Sequence, residues 1–260
     1  MYKCSENEIE EVINLLKRDI KNCIYMYIDI IKYGISDNLD IWIKREDSDI
    51  SVIIMKYYNS MHIYSTYDKV YDTDIIDIIK KFDFAMISGS PSVINSIHTY
   101  IKDKYSIDYG YILKQEVNSH YKDINYIQRA KLDDVYDIAR LICSDKEIGG
   151  HYTVSILAEQ LKDRMINGMG RNYVIKEGNN IVAHYGTYAE LDNIAVLGGL
   201  IVDINKRNKG FGPKLHKFVS SILISEGKNV YLFCHNEKTI RMYNRLGAVI
   251  CAEYAKLTKI

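Results

Sequence analysis

Arg207-Asn208-Lys209-Gly210-Phe211-Gly212 stands between two segments of different periodicity. Before it, Ile194 to Val202 is apolar and rich in β-branched side chains, the pattern of a buried strand. After it come Pro213, Leu215, Phe218, Val219, Ile222 and Leu223, spaced along one face of a helix. Pro213 suits a first helical turn, where its missing N–H costs nothing. A strand therefore feeds a helix through a short loop with two glycines and, counting Lys206, three cationic side chains. The first N–H groups of such a helix have no internal partner and sit at the positive end of its dipole. With glycines allowing close approach, the loop predicts a cradle for phosphate oxygens.

Elimination narrows the ligand. The chain lacks G-x-x-x-x-G-K-[ST], and a dinucleotide fingerprint fails at its third glycine, where Leu215 stands. What remains is R-x-x-G-x-G. Farther on, Val230-Tyr231-Leu232-Phe233 reads as another buried strand, followed by Asn236, Thr239, Ile240, Tyr243, Leu246, Gly247 and Ala248. Helical spacing places Asn236 near a helix start and Tyr243 two turns on, facing the same way. The two motifs together resemble the GNAT superfamily of N-acetyltransferases, whose acyl-CoA pyrophosphate loop reads R-x-x-G-x-G. In that family N-x-x-A-x-x-x-Y-x-x-x-G-F commonly follows. The match holds at Asn236, Tyr243 and Gly247 and departs at Thr239 and Ala248.

Neighbouring segments extend the resemblance. Ile124 to Arg129 reads as a strand, Leu132 to Ser144 as a helix, and Thr153 as the N-cap of a second helix to about Met169. Arg171 to Lys176 and Ile181 to Tyr188 form a predicted hairpin across Glu177-Gly178-Asn179-Asn180. With a last strand from Val249, the order is β-α-α-β-β-β-α-β-α-β, that of the family, over about residues 121 to 260. The run Ala183-His184-Tyr185-Gly186-Thr187 into Gly198-Gly199 resembles a subgroup whose catalytic domain follows a degenerate partner.

The first half is predicted as a smaller α/β domain. Ser5-Glu6-Asn7-Glu8 is a capping-box pattern, and a second helix is expected over Ile20 to Tyr33. Ile41–Lys44, Ser51–Lys56 and Met61–Ser65 read as a meander. Thr73 to Lys81, Phe84 to Ile87 and Ser92 to Lys104 read as helix, strand and helix. No R-x-x-G-x-G occurs there, so this half is expected to be a diverged GNAT-like copy that has lost its loop. The expected division is 1–118 and 119–260, with the junction in Val117 to Lys122. That junction lacks linker composition, so the domains are expected to pack together as an α/β, mixed-sheet protein. The Tyr-rich stretch Tyr105 to Tyr111 reads as packing or domain-contact residues.

Composition sets the frame. At 260 residues, 47% of them hydrophobic, the chain has material for two real cores. Lys plus Arg equals Asp plus Glu at 34 each, so no global field points to nucleic acid or a membrane surface. The start lacks signal-peptide regions, no apolar run approaches the ~20 residues of a bilayer span, and a cytoplasmic protein is expected. Five scattered cysteines without a C-x-x-C pair read as reduced thiols, and the histidines show no close ligand pair, so no metal is expected.

The resemblance also implies chemistry. Acetyl-CoA would be the cosubstrate, and a primary amine of a small molecule or amino acid the acceptor, in a ternary complex. Backbone groups of Leu200, Ile201 and Val202 would bind the pantetheine arm, with one N–H on the thioester oxygen. N–H groups of Asn208, Lys209, Gly210, Phe211 and Gly212 would hold the pyrophosphate, with charge added by Arg207 and Lys209. Asn236 would bond the pantetheine chain, and Tyr243 would donate its proton to the CoA sulfur. Glu190 is the first expectation for a general base, through water, ahead of His184 and His235. Cys234 lacks a Cys-His-Asp setting and is not expected as a nucleophile. The segment Asp145 to Tyr152 is expected to line the acceptor pocket. A catalytically silent acyl-CoA sensor or scaffold is the alternative, and a homodimer stays open.

Overall fold

The computed structural model describes residues 1–67, 73–117, 125–150 and 152–260. In chain order its elements begin with β1 (Tyr2–Lys3), α1 (Ile9–Lys17), α2 (Ile20–Tyr33), β2 (Leu39–Glu46), β3 (Asp49–Tyr57) and β4 (Ser60–Ser65). There follow α3 (Thr73–Phe82), β5 (Met86–Gly89), α4 (Pro91–Ile101) and β6 (Tyr105–Gln115). The next run is β7 (Ile127–Arg129), α5 (Val135–Cys143), the single turn α6 (Lys146–Gly149), α7 (Val154–Ile166), β8 (Asn172–Glu177) and β9 (Asn180–Leu191). It ends with β10 (Ile194–Val202), α8 (Phe211–Ser225), β11 (Asn229–Cys234), α9 (Glu237–Arg245) and β12 (Ala248–Lys259).

With α6 set aside, the second run repeats the first element for element. The chain divides into two compact units, one of Met1–Tyr111 with Cys251–Ile260 and one of Ile112–Ile250. The closing strand of each repeat is thus shared out: β6 begins in the first unit and ends in the second, and β12 does the reverse. Tyr105 to Tyr111, expected as packing or domain-contact residues, is the first part of β6. The expected junction lies outside the described residues beyond Val117, as does Ile124 of the expected first strand of the second half.

In the first unit the strands run β1-β2-β3-β4-β5-β12-β6. The β2-β3-β4 meander is antiparallel, and β4 then lies parallel to β5. Helix α1 starts as the sequence predicts, with the Glu8 carboxylate accepting from the Ser5 N–H at 3.0 Å and from the Ser5 hydroxyl at 2.8 Å. Strands β4 and β5 pair over Ser60–His62 and Met86–Ser88. At the end of that pairing, Ser88 Oγ and His62 Nδ1 bond at 2.7 Å. Ser90 occupies the N-cap of α4 and buried Ile97 lies seven residues on.

In the second unit the order is β6-β11-β10-β9-β8-β7. Strand alternation sorts the two faces of its sheet: Tyr173 and Ile175 of β8 join a core with α8 and α9, while Val174 between them joins one with α5 and α7. Helix α8 lays Leu215, Val219 and Leu223 into the first of these cores, all fully buried at i, i+4 and i+8. That anchoring fixes the helix whose start carries the glycine loop. Thr153 caps α7, its Oγ1 accepting from the Ile156 N–H at 3.4 Å. Leu215→Ala leaves a cavity in this core. It is expected to destabilise the protein by about 2–5 kcal/mol, read as a lowered denaturation midpoint with an unchanged denaturant slope.

Candidate functional site

The site grows from an incomplete pairing. Strands β10 and β11 run parallel over Ile194–Leu197 and Asn229–Leu232, where their recorded register stops, although β10 continues to Val202. On its other side β10 stays paired with β9, with a register shift between Gly198 and Ile201. Gly199 sits there at φ +64, and a Cβ on it would lie 2.1 Å from the Tyr188 hydroxyl. Only glycine meets both demands. Leu200, Ile201 and Val202 therefore follow the point where β10 and β11 part, with Ile201 and Val202 still paired to β9 and the side toward β11 without a strand partner.

Past Val202, one 3-10 turn capped by Asp203 leads into the loop. Asn208 adopts φ +65, which its short polar side chain tolerates, and Gly210 takes φ +77 as the N-cap of α8. The Lys214 N–H bonds back to the Gly210 carbonyl at 3.3 Å. The N–H groups of Phe211 and Gly212 therefore have no carbonyl within the helix to reach. Space is left in front of them. A Cβ at Gly210 would meet nothing within 4 Å, and one at Gly212 only a Leu200 methyl at 3.9 Å. Protein packing therefore does not call for glycine at 212, whereas close approach of a phosphate group does. Arg207 is otherwise engaged: its guanidinium donates to Asp145 Oδ2 at 2.8 Å and to the Val202 carbonyl at 3.2 Å. Burial pushes the Asp145 carboxyl up, but the Arg207 bond and the Ile148 and Glu147 N–H groups outweigh it and hold the group below its ordinary pKa. Asp145 thereby ties the start of α6, part of the expected acceptor segment, to the end of β10. His151 of that segment lies outside the described residues. Lys209 is exposed at the crest of the loop.

Asn236 is the N-cap of α9, its Oδ1 accepting from the Thr239 N–H at 3.1 Å and the Thr239 hydroxyl at 3.3 Å. Thr239 at the family's usual alanine position thus strengthens the cap. Two turns on, Tyr243 is 4% exposed. Its ring lies 4.7 Å from that of His216 on α8. Burial pushes the Tyr243 pKa well above that of a free phenol, against a smaller downward pull from Tyr185. The Tyr185 hydroxyl also lies 3.3 Å from His216 Nδ1, and His216 Nε2 lies 3.0 Å from Gln115 Oε1. Sequence reading passed over Gln115, Tyr185 and His216.

The three expected bases sit in different settings. Glu190 pairs in register with Ala195, at the closed end of β10, before the point where the strands part. Its carboxylate is buried and engaged with Arg171 at 2.7 Å, Lys228 at 3.4 Å and the Thr187 hydroxyl at 2.9 Å. His184 pairs with Ile201 but is fully buried, with Nδ1 2.7 Å from the Gly199 carbonyl and Nε2 2.8 Å from the Asn172 side chain. His235 lies between β11 and α9. Burial raises the Cys234 thiol, which keeps it protonated. Among the described residues no cluster of three or more His, Cys, Asp or Glu could hold a metal, and no helix is long and apolar enough to cross a membrane.

Comparison with known proteins bears on this geometry. The family model described as the acetyltransferase (GNAT) family matches residues 132–248. A comparison with curated proteins finds no match. Among solved structures, a Drosophila protein aligns with a TM-score of 0.65 at 12% identity, over 99% of this chain and 97% of that one. A GCN5-related N-acetyltransferase-like protein from Streptococcus suis aligns at 0.61 and 12% identity, over 97% and 100%. A tandem GNAT protein from the clavulanic acid biosynthesis pathway aligns at 0.60 and 11% identity, over 99% and 97%. At such identities the likeness is one of fold, and it spans both repeats. Residues 132–248 thus match the model of the acetyltransferase (GNAT) family, and the fold of the chain over both repeats is like that of these solved structures.

Proposed function

We propose that the second unit transfers an acetyl group from acetyl-CoA to a primary amine of a small molecule or amino acid, by direct attack in a ternary complex. One observation carries this reading. The open N-terminus of α8, the parting of β10 from β11 and the Tyr243 hydroxyl all belong to one unit and are built by adjoining elements. N–H groups from Asn208 to Gly212 would hold the diphosphate, helped by the helix dipole and by Lys209. Arg207 serves instead to fix the loop through Asp145. The backbone of Leu200, Ile201 and Val202 on the side that β11 leaves would take the pantetheine arm, and one N–H there would polarise the thioester oxygen. With its Oδ1 spent on the cap, Asn236 has its Nδ2 to offer the same arm.

Bound acetyl-CoA supplies an activated thioester: the amine nitrogen adds to the carbonyl carbon, the C–S bond breaks, and the surplus amine proton passes to water. Tyr243 holds the proton that the departing sulfur takes. A phenol, with an ordinary pKa of about 10, is protonated at neutral pH, as an acid must be. Glu190 is committed to Arg171 and Lys228, and His184 to two hydrogen bonds, so this reading assigns neither as base. The amine enters neutral.

Thiol release from acetyl-CoA with a panel of amino acids and polyamines tests the proposal. Tyr243→Phe is expected to lower kcat by about a hundredfold or more while leaving the KM for acetyl-CoA in place. Full activity of that variant would sink the acid assignment. Binding without transfer to any amine would leave the silent-sensor alternative standing. Gly212→Val, which fills the cradle, is expected to weaken CoA binding at least tenfold by calorimetry.

His184 offers a check on the base. Burial lowers its pKa to about 4, and that of His216 to about 3, against 6.5 when free. Between pH 6.5 and those values the unfolded chain binds more protons than the folded one. The stability linked to both rings is therefore whole above pH 6.5 and lost as pH falls through 4 and 3. Nitrogen-15 spectra at pH 5 are expected to show both imidazoles neutral. A charged His184 at that pH would contradict the burial argument and return it to the list of bases.

A further inference from the structure

The bulge in β10 contains one peptide whose two ends can be followed. Gly198 faces Gly186 and Ile201 faces His184, so Gly199 and Leu200 together stand opposite Tyr185. The Asp203 N–H donates to the Val182 carbonyl at 2.9 Å, in the same register two residues past Ile201. Backbone groups along a strand turn to alternate edges. Ile201 therefore faces β9 as Asp203 does, while Leu200 and Val202 face the side that β11 leaves. The Leu200 N–H and the Gly199 carbonyl belong to one planar trans peptide and point in opposite directions. That carbonyl heads toward β9, where His184 Nδ1 meets it at 2.7 Å. The same ring walls in the glycine, since a Cβ on Gly199 would stand 3.1 Å from His184 Cε1.

The hydrogen on that ring can be placed. A carbonyl oxygen only accepts, so Nδ1 carries the hydrogen. Burial keeps the imidazole neutral, which leaves a lone pair on Nε2. The Asn172 amide ends 2.8 Å from Nε2 at its Oδ1 position, and two acceptors cannot share that contact. An Asn amide turned end for end keeps its outline, whereas the Gly199 carbonyl is fixed by the chain, so Asn172 presents its NH2 to the ring. Both residues are buried, Asn172 at 1% and His184 at 0% exposure, so the pair is sealed from solvent.

We infer that His184 is a positioning residue for acyl transfer: by holding the Gly199 carbonyl it aims the Leu200 N–H into the gap between β10 and β11, as the donor to the thioester oxygen. This rests on the proposed reaction and deepens it by naming the N–H. Negative charge gathers on that oxygen as the amine nitrogen adds to the carbonyl carbon, and a donor already aimed there favours the transition state. When the C–S bond breaks, the electron pair on oxygen re-forms C=O and the sulfur takes the Tyr243 proton. The Leu200 N–H keeps its hydrogen throughout. A hydrogen bond into the Gly199 carbonyl also polarises the whole peptide, which strengthens its N–H as a donor. His184 gives up no proton, because its Nδ1–H ends on a carbonyl.

His184→Leu against His184→Asn is the test, with thermal melting as the control for folding. Asn places an amide N–H where Nδ1 stood, and Leu, close to it in size, has none. His184→Leu is expected to lower kcat about tenfold, less than the roughly hundredfold of a donor lost outright, because the N–H remains but is no longer aimed. Calorimetric affinity for CoA, which has no thioester carbonyl, should stay as it is. His184→Asn should keep most of the activity. Equal loss in the two variants, or no loss in either, would overturn the inference. Two readouts need no turnover. Nitrogen-15 spectra of the protein alone should show the His184 hydrogen on Nδ1, and a hydrogen on Nε2 instead would overturn the inference. With carbonyl-labelled carbon-13 acetyl-CoA bound and no amine present, the infrared C=O stretch should lie at higher frequency in His184→Leu than in the native protein. Equal frequencies would again overturn it. If the native protein acetylates no amine while the tautomer and the infrared shift are as expected, the proposed reaction fails and the aimed N–H stands.

Discussion

Two parallel strands that begin paired and then part are the constraint on which the second unit depends. Four residues of β10 find partners on β11, and the remainder is turned by a bulge at Gly198–Gly199 that only glycine permits at its second position. A sheet of continuous ladders would have no unsatisfied backbone there and no slot. The opening also aims the chain. β10 leaves the sheet at Val202, its loop is pinned by the Arg207–Asp145 pair, and α8 starts with its free N–H groups beside the gap. Burial of Leu215, Val219 and Leu223 holds that helix in place, so packing on one face of α8 positions the N–H groups at its start.

The two repeats show what the architecture needs and what the chemistry needs. Both have the same order of elements, and both have a parallel strand pair that stops after a few residues. In the first repeat a Ser88–His62 bond closes that place, Ser90 stands at the N-cap where the second has Asn236, and Ile97 stands where the second has Tyr243. An isoleucine fills the same volume as a core residue and carries no proton to give. The sequence from Ser65 to Thr73 holds no glycine. Among the described residues, the tyrosine and the two loop glycines to which the proposal gives roles stand in the second repeat.

Much of this was legible in the sequence because the information is local. The strand Ile194–Val202, the glycine loop and the cap at Asn236 are set by neighbours within a few residues, and periodicity reports them. The same holds for the helix over Ile20–Tyr33 and the capping box at Ser5. What escaped is what depends on register and on distant partners. Glu190 lies near the site in sequence, yet pairing with Ala195 puts it at the closed end of the strands, where Arg171 and Lys228 neutralise it. Gln115 meets His216 across 101 residues, and no spacing rule connects them. The exchange of strand ends between units is likewise invisible, because β6 and β12 look alike to a local pattern whichever sheet they complete.

A structure of the protein bound to coenzyme A measures the central claim most directly. The account predicts the diphosphate on the N–H groups of Gly210 to Gly212, the pantetheine arm against Leu200 to Val202, and the sulfur within hydrogen-bond reach of the Tyr243 hydroxyl. A cofactor seated away from the glycine loop, or a sulfur that the Tyr243 oxygen does not reach, would contradict it.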